Sequence, residues 1–597
     1  MAQTVGEYIL RRLHAWGVEY VFGYPGDGIN GIVGAFQDTT ERPQFVQARH
    51  EEMSAFEATG YAKYTGRVGV CMATSGPGAI HTLNGLYDAK LDHVPVVAII
   101  GHTARAKLGG SYQQEVDLST LFKDVAAEYL TMVSVADQLP DVLDRAFRVA
   151  HAERAPTCVI IPNDVQEEEF SPPEHLAKQV ASIAPGFATP ATRAPDTEIA
   201  HAAEVLNAGQ KVAILIGQGA RDAADEIVEV AERTGAGVAK ALLGKDVLPD
   251  DLPFVTGSIG LLGSRPSWEL MRDCDTLLMV GTSFPYSGFM PAYGQCRSVE
   301  IDIDGKFIGL RYPNEVNLVG DARDTLRALI PQLERKTDRG WRETVERNVS
   351  EWWETVERRS MTDAEPINPM RVAWDLNARM PDNAMVSSDS GSAANWYARE
   401  LKVKRGMSCS LSGTLATMGP GVPYAIGAKF GNPDRPMIAL VGDGAMQMNG
   451  MAELITIARY YRQWSDPRCV ICVFHNNDLN QVTWELRAMG GHPKVEDTQN
   501  LPDVDYAGFA RSIGLDGVNV EQPDQIGDAW DRALAADRPT VLDVRTDPDI
   551  PPIPPHASVQ QMKDTAQALM RGDADAWGVA VKGMRTKAKD FLAGRGS

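Results

Sequence analysis

Apolar residues along this chain gather in short runs bounded by glycine, proline or polar turn residues, not in long stripes. Runs at 20–23, 69–73, 94–100 and 157–161 predict buried strands, with helical patterns between them. That alternation is the one expected of a parallel sheet with crossover helices. A seam rich in Pro and Ala, from Ser171 to Pro195, has little periodicity. Strand-like runs resume at 212–216, 277–280 and 299–303, and again beyond Pro366 at 384–387, 437–441, 470–474 and 540–544. The pattern predicts an α/β protein of three doubly wound parallel-sheet domains, over 1–180, 196–340 and 366–550. A tail, 551–597, leaves the last sheet at Pro551-Pro-Ile-Pro-Pro555. Three domains also suit 597 residues, too many for one core.

Composition narrows the class. A net charge of −21 excludes a nucleic-acid surface, which needs a basic footprint. The N-terminus lacks the basic start and apolar run of a signal peptide, and the most apolar stretch, 94–100, is too short to span a bilayer. Seven scattered cysteines make no disulfide framework and fit a reducing cytoplasm. Cys469 and Cys472 match C-x-x-C, but in a strand residues three apart face opposite ways, and no second Cys/His pair lies nearby. They read as two core thiols.

The most specific chemistry is Gly442-Asp-Gly444, followed after a gap by Asn476-Asn477. Each half closes a predicted strand, so both loops emerge at the carboxyl edge of a parallel sheet, where ligands bind. Asp443 and Asn477 then offer two hard oxygens to one Mg²⁺, completed by diphosphate oxygens and water. Gly444 and Ala445 fall where the main chain would meet a phosphate at a helix N-terminus. A pair of tight turns is the plainer alternative for either half alone.

Together these motifs resemble the diphosphate-binding segment of thiamine-diphosphate (ThDP) enzymes related to acetolactate synthase and pyruvate oxidase. The resemblance implies metal ligation by Asp443, Asn477 and the main-chain carbonyl of Leu479. The gap between Asp443 and Asn477 exceeds the family's, the excess falling in the hydrophilic stretch 461–468. Arg49-His-Glu-Glu52 resembles the catalytic glutamate segment, with Glu51 bonded to N1′ of the aminopyrimidine to promote C2 deprotonation. Thr74-Ser-Gly-Pro-Gly78, Leu86-Tyr-Asp88 and Pro95-Val-Val97 are similar to the pyrimidine-binding domain. In Leu415-Ala-Thr-Met-Gly419, Met418 would bend the cofactor and the Ala416 carbonyl hold its amino group; in Asp389-Ser-Gly-Ser392, Ser392 would touch the diphosphate. In this family Glu51 and Asp443 meet across a subunit interface, which implies a homo-oligomer, dimer or tetramer.

The middle block carries Gly217-Gln-Gly219, Lys240 to Lys245, Gly281 to Tyr286, Ile301-Asp-Ile-Asp304 and Gly320-Asp321. These resemble the FAD-binding domain of pyruvate oxidases and of pyruvate:quinone dehydrogenase, which would set Gly217, Gly219, Thr282, Asp302 and Asp321 against FAD. Decarboxylases of the family keep this domain without flavin. Gln114 fits a pocket glutamine and Glu485 the pocket mouth, but Gln113 and Gln481 stand where apolar residues are usual. A buried unpaired amide costs about 1–3 kcal/mol, so these changes suit a substrate richer in hydroxyls or carbonyls than pyruvate. The implied reaction is decarboxylation of a pyruvate-like 2-oxo acid with oxidation of the enamine through FAD to oxygen or a quinone. The alternatives are carboligation of the enamine to a second carbonyl compound, as in acetolactate synthases, and non-oxidative decarboxylation. In the tail, Trp577, Val581, Met584, Ala588 and Phe591 recur at helical spacing beside Lys582, Arg585, Lys587, Lys589 and Arg595. This basic amphipathic pattern predicts either docking on the acidic subunit or peripheral contact with an anionic membrane.

Overall fold

The computed structural model describes residues 3–171, 186, 192–552, 563–565, 567–568, 571 and 573. The expected tail helix at 577–591 lies outside these residues. Strand β1 (Gln3–Thr4) is followed by β2 (Tyr20–Gly23), β3 (Gln44–Gln47), β4 (Gly69–Ala73), β5 (Val96–His102), β6 (Leu130–Met132) and β7 (Pro156–Pro162). These last six form a sheet in the order β3-β2-β4-β5-β7-β6, and β8 (Glu169–Phe170) returns to pair antiparallel with β1. The second sheet takes β9 (Val212–Ile216), β10 (Gly237–Lys240), β11 (Val255–Ser258), β12 (Thr276–Val280), β13 (Arg297–Asp302) and β14 (Val316–Val319), in the order β11-β10-β9-β12-β13-β14. The third takes β15 (Met385–Ser388), β16 (Ser408–Leu411), β17 (Met437–Gly442), β18 (Cys469–His475), β19 (Asp516–Val520) and β20 (Thr540–Arg545), in the order β16-β15-β17-β18-β20-β19. Pairing within all three six-stranded sheets is parallel, and helices flank them, so the fold is the three-domain α/β arrangement expected.

Strands β5, β7 and β18 are buried along their whole length, which is why they read as continuous apolar runs. Cys469 and Cys472 sit in β18 at 0% exposure, and burial pushes the Cys469 thiol up to about 12, as befits core thiols. Helix Gly340–Ser360 lies between the second and third blocks and packs back on the second sheet. Its Trp341 Nε1–H donates to the Val212 carbonyl at 2.9 Å, and Val345 lies against Leu270 in one core. The first and third domains share a core: helix Glu51–Thr65 lies along helix Gly421–Gly431, and apolar residues of both belong to one cluster. Among the described residues no helix is long and apolar enough to cross a membrane.

Candidate functional site

The order of the third sheet reverses between β15 and β17, and a crevice opens beyond the carboxyl ends of those strands. Asp443 stands there at 2% exposure. Its Oδ2 accepts from the N–H groups of Asn476 (2.8 Å) and Asn477 (2.6 Å), and its Oδ1 from that of Gly444 (2.9 Å), which staples the end of β17 to the end of β18. Burial pushes this carboxyl up to about 6 against the pull of those N–H groups. A buried carboxylate met by main-chain donors gains from a cation, so the donor set fits Mg²⁺. Asn477 adopts a left-handed φ of 56° that a tight turn at the strand end demands. The Leu479 carbonyl accepts from Thr483 N–H at 3.1 Å at the start of helix Asn480–Glu485, and its second lone pair remains for a ligand.

Gly444, Met418 and Leu479 converge. A Cβ on Gly444 would come within 2.8 Å of Leu479 Cδ2 and 3.3 Å of Met418 Cε. Ala416 takes a left-handed φ of 53°, a costly conformation for alanine that fixes the direction of its carbonyl. Ser392 opens helix Ser392–Arg399, while Asp389, 1% exposed, accepts from Gly419 N–H (2.9 Å) and Gly421 N–H (2.8 Å). Asp389 therefore ties the β15 loop to the Met418 segment, and burial pushes its carboxyl up to about 6. Ala445 is buried beneath the loop. Single π-helical turns lie in the helices that leave both loops: Met446–Gly450 interrupts the first and Leu486–Gly490 ends the second. Such turns often mark functional sites, and nothing in the sequence pattern foretold them.

A second group lies on the first domain. Glu51, 8% exposed, opens helix Glu51–Thr65, and its Oε2 is 3.0 Å from His81 Nδ1. The rings of His81 and His50 lie 4.3 Å apart, and His50 Nδ1 accepts from Glu52 N–H at 3.2 Å. His81 escaped the sequence reading, although it closes the short helix Pro77–His81 just after the Thr74–Gly78 motif. Gln114, at a left-handed φ of 61°, accepts from Ser75 Oγ–H at 2.8 Å and so joins the same loop. Among the described hydrogen bonds, Glu51 and Asp443 share no partner; one chain presents two separate half-sites.

At the mouth of the third-domain crevice, Asn395 Nδ2–H donates to Gln481 Oε1 at 2.9 Å, and Gln481 Nε2–H donates to Glu485 Oε1 at 3.0 Å. Both ends of the Gln481 amide are thus satisfied within the chain, and Gln113 is exposed. The expectation that these two amides lack partners is corrected, and with it their argument for a polar substrate.

In the central domain the sheet order reverses between β9 and β12. Gly217 N–H donates to Val280 O (3.0 Å) and Gly219 N–H to Gly281 O (3.1 Å), and a Cβ on Gly217 would lie 2.3 Å from Gly281 O. These glycines let two strand-end loops touch. Thr282 is buried beside them, Asp302 Oδ1 accepts from Asp304 N–H (2.9 Å), and Asp321 Oδ1 caps helix Ala322–Leu329 through Asp324 N–H (3.0 Å). The two lysines of the Lys240–Lys245 motif turn elsewhere. Lys240 pairs with Asp250 at 2.7 Å, and Lys245 donates to the carbonyls of Ala398 (3.2 Å) and Leu401 (2.9 Å), in the seam with the third domain. Tyr286 and Ile303, which follow β12 and β13, stay 48% and 46% exposed.

One buried acid at a helix start and one cluster of oxygen donors at the ends of two parallel strands suit a thiamine-diphosphate enzyme, and the chain belongs to the thiamine pyrophosphate enzyme family. The family's N-terminal TPP binding domain matches residues 3–121, its central domain 199–329 and its C-terminal TPP binding domain 389–544. The chain is 34% identical over 569 residues to a putative thiamine pyrophosphate-containing protein, YdaP, of Bacillus subtilis, covering 95% of this chain and 96% of that one. It is 30% identical over 586 residues to a probable acetolactate synthase large subunit of Methanococcus aeolicus, covering 94% and 95%. It is 29% identical over 542 residues to a pyruvate oxidase of Lactiplantibacillus plantarum, covering 90% and 88%.

Proposed function

We propose that this chain decarboxylates a pyruvate-like 2-oxo acid with ThDP and Mg²⁺ and passes the electrons to FAD. The observation that carries the ThDP half is Asp443, buried and held by three main-chain N–H groups next to the left-handed Asn477. Asp443, Asn477 and the Leu479 carbonyl would hold the metal. Ser392, Gly444 and Ala445 would line the diphosphate, and Met418 with the Ala416 carbonyl would set the bend of the cofactor. Bound ThDP supplies a carbon nucleophile and an electron sink beside the 2-oxo carbonyl. Glu51, whose Oε2 faces His81 Nδ1, would hold a proton at N1′ of the aminopyrimidine. Gln114 and Glu485 would face the substrate from the two half-sites.

The open carboxyl edge of the central sheet suits a dinucleotide: its glycines approach closely, and exposed Tyr286 and Ile303 offer apolar cover for a flavin. With Lys240 and Lys245 committed to the domain seam, main-chain N–H groups would meet the flavin diphosphate. Carboligation of the enamine to a second carbonyl compound is the second reading, supported by the 30% identity to a probable acetolactate synthase large subunit. The purified protein is expected to carry the visible absorption of oxidised flavin, which anaerobic pyruvate with ThDP and Mg²⁺ should bleach. Acetolactate formation without bleaching would replace the oxidative reading with the carboligating one.

A further inference from the structure

His475 ends β18 immediately before Asn476-Asn477, a polar side chain closing a strand otherwise made of apolar residues. It is 1% exposed and enclosed by polar groups. Its Nδ1 lies 2.7 Å from Asp543 Oδ1, and its Nε2 lies 2.7 Å from Asn477 Oδ1 and 3.2 Å from Asp503 Oδ1. Asp543 Oδ1 can accept from Nδ1–H, while Nε2 faces both the Asn477 amide oxygen, which would take an N–H from it, and the Arg545 guanidinium, which would give it one. Arg545 Nη1, 3.1 Å from Nε2, is itself paired with Asp503 at 2.7 Å. Asp543 has a second task. Its Oδ2 accepts from Tyr506 N–H at 3.1 Å, the Tyr506 ring packs edge-on to His475 with centroids 4.9 Å apart, and Tyr506 Oη–H donates to the Asp443 carbonyl at 3.4 Å. One buried carboxylate on β20 therefore braces both strand-end loops.

We infer that His475, held by Asp543, is a positioning residue that fixes the Asn477 side chain for the cation. The inference rests on the metal reading above. An amide oxygen has two lone pairs, so Asn477 Oδ1 can accept from His475 and still face a metal. Asn477 reaches the crevice from a left-handed turn, and His475 Nε2 stands 2.7 Å behind its side-chain oxygen. A fixed donor behind it removes the rotamer freedom that ligation would otherwise have to freeze. Partners of this kind behind a metal ligand typically change affinity by about 10–100-fold.

The test is a Mg²⁺ titration of the full-length protein with ThDP held constant, read by quenching of intrinsic tryptophan fluorescence, on wild type, His475→Leu, His475→Gln, Asp543→Asn and Asp443→Ala. The half-saturating Mg²⁺ concentration is expected to rise about 10–100-fold in His475→Leu. ThDP binding should return at high Mg²⁺, and His475→Gln, which keeps a donor, should recover most of the affinity. Asp543→Asn should shift the titration in the same direction as His475→Leu, and it carries the test if the leucine variant does not fold. Wild-type Mg²⁺ affinity in His475→Leu or, in its place, Asp543→Asn, with Asp443→Ala impaired, overturns the role of His475 and leaves the metal site standing. Wild-type affinity in Asp443→Ala overturns the metal site itself.

Discussion

Glu57 and Glu453 are both at 0% exposure and close enough for the charge of one to act on the other, with Arg49 N–H donating to Glu453 Oε1 at 2.7 Å. Burial first, and then the neighbouring carboxyl, pushes Glu57 well above the ordinary carboxylate range; Glu453 is also raised, by burial. The folded protein therefore keeps a proton on this pair that the unfolded chain gives up above the usual glutamate value. The folded state binds more protons than the unfolded state in that window, so stability falls as pH rises, by up to about 1.4 kcal/mol per pH unit, until the folded-state value is passed. Glu57→Gln is neutral at every pH and removes the titration. Its melting temperature is expected to exceed the wild type's by a margin that grows between pH 6 and pH 8.5. A constant margin across that range would mean that the pair ionises in the folded state as it does in the unfolded chain. At this scale the sequence was a partial guide. Asp443 and Asn477 were legible because each ends an apolar run, whereas the pairing of Glu57 with Glu453 joins two chain-distant helices and leaves no local trace.

At the scale of elements, legibility followed position in the sheet. The interior strands β5, β7, β9, β12 and β18 are buried end to end and stood out as apolar runs. The edge strands did not: β3, β6, β14 and β19 alternate or stay half-buried, as edges facing solvent do. The interior strand β10 also escaped, since its four residues end in Lys240, whose burial depends on Asp250. Helix packing is equally invisible in the sequence, but it yields a test of sign. Helices Glu51–Thr65 and Gly421–Gly431 touch where a Cβ on Gly427 would lie 2.1 Å from Glu57 O and 2.5 Å from Tyr61 N. Helix propensity alone favours Ala by about 1 kcal/mol, yet overpacking of this backbone contact costs about 1–3 kcal/mol, and more when main chain must move. Gly34, inside helix Asn30–Asp38, has nothing within 4 Å of the same position. Gly427→Ala should therefore lower the midpoint of urea unfolding and Gly34→Ala raise it. A gain from both substitutions would show that the two helices are not in backbone contact.

At the scale of the molecule, the Glu51 and Asp443 groups lie apart on one chain, with no shared partner among the described hydrogen bonds. Glu51 is buried beside the partly exposed His81 on the first domain, and Asp443 lies at the crevice of the third. Beside each lie apolar residues that water should not keep: Ile80, 43% exposed, next to His81, and Met448 and Ile455, 57% and 40% exposed, on the helix that leaves Asp443. Large apolar groups left exposed beside a functional edge are what a surface covered by a second chain would show. A second copy related by a two-fold axis would bring the Glu51 half of one chain to the Asp443 half of the other, twice over. Mixing tests that arrangement. Glu51→Gln should lose about 10²–10⁴-fold in rate while keeping ThDP, and Asp443→Ala should lose cofactor binding, so each homodimer is inactive. In a heterodimer one site inherits both substitutions and the other inherits neither. Equal amounts unfolded and refolded together should regain about a quarter of wild-type activity, since half of the two-fold pairs are mixed and each has one intact site. The same mixture without refolding should regain it only as fast as subunits exchange. If co-refolding restores no activity while wild type treated in the same way recovers, Glu51 and Asp443 of the same chain serve one site, and the exposed apolar residues beside them cover something other than a second copy.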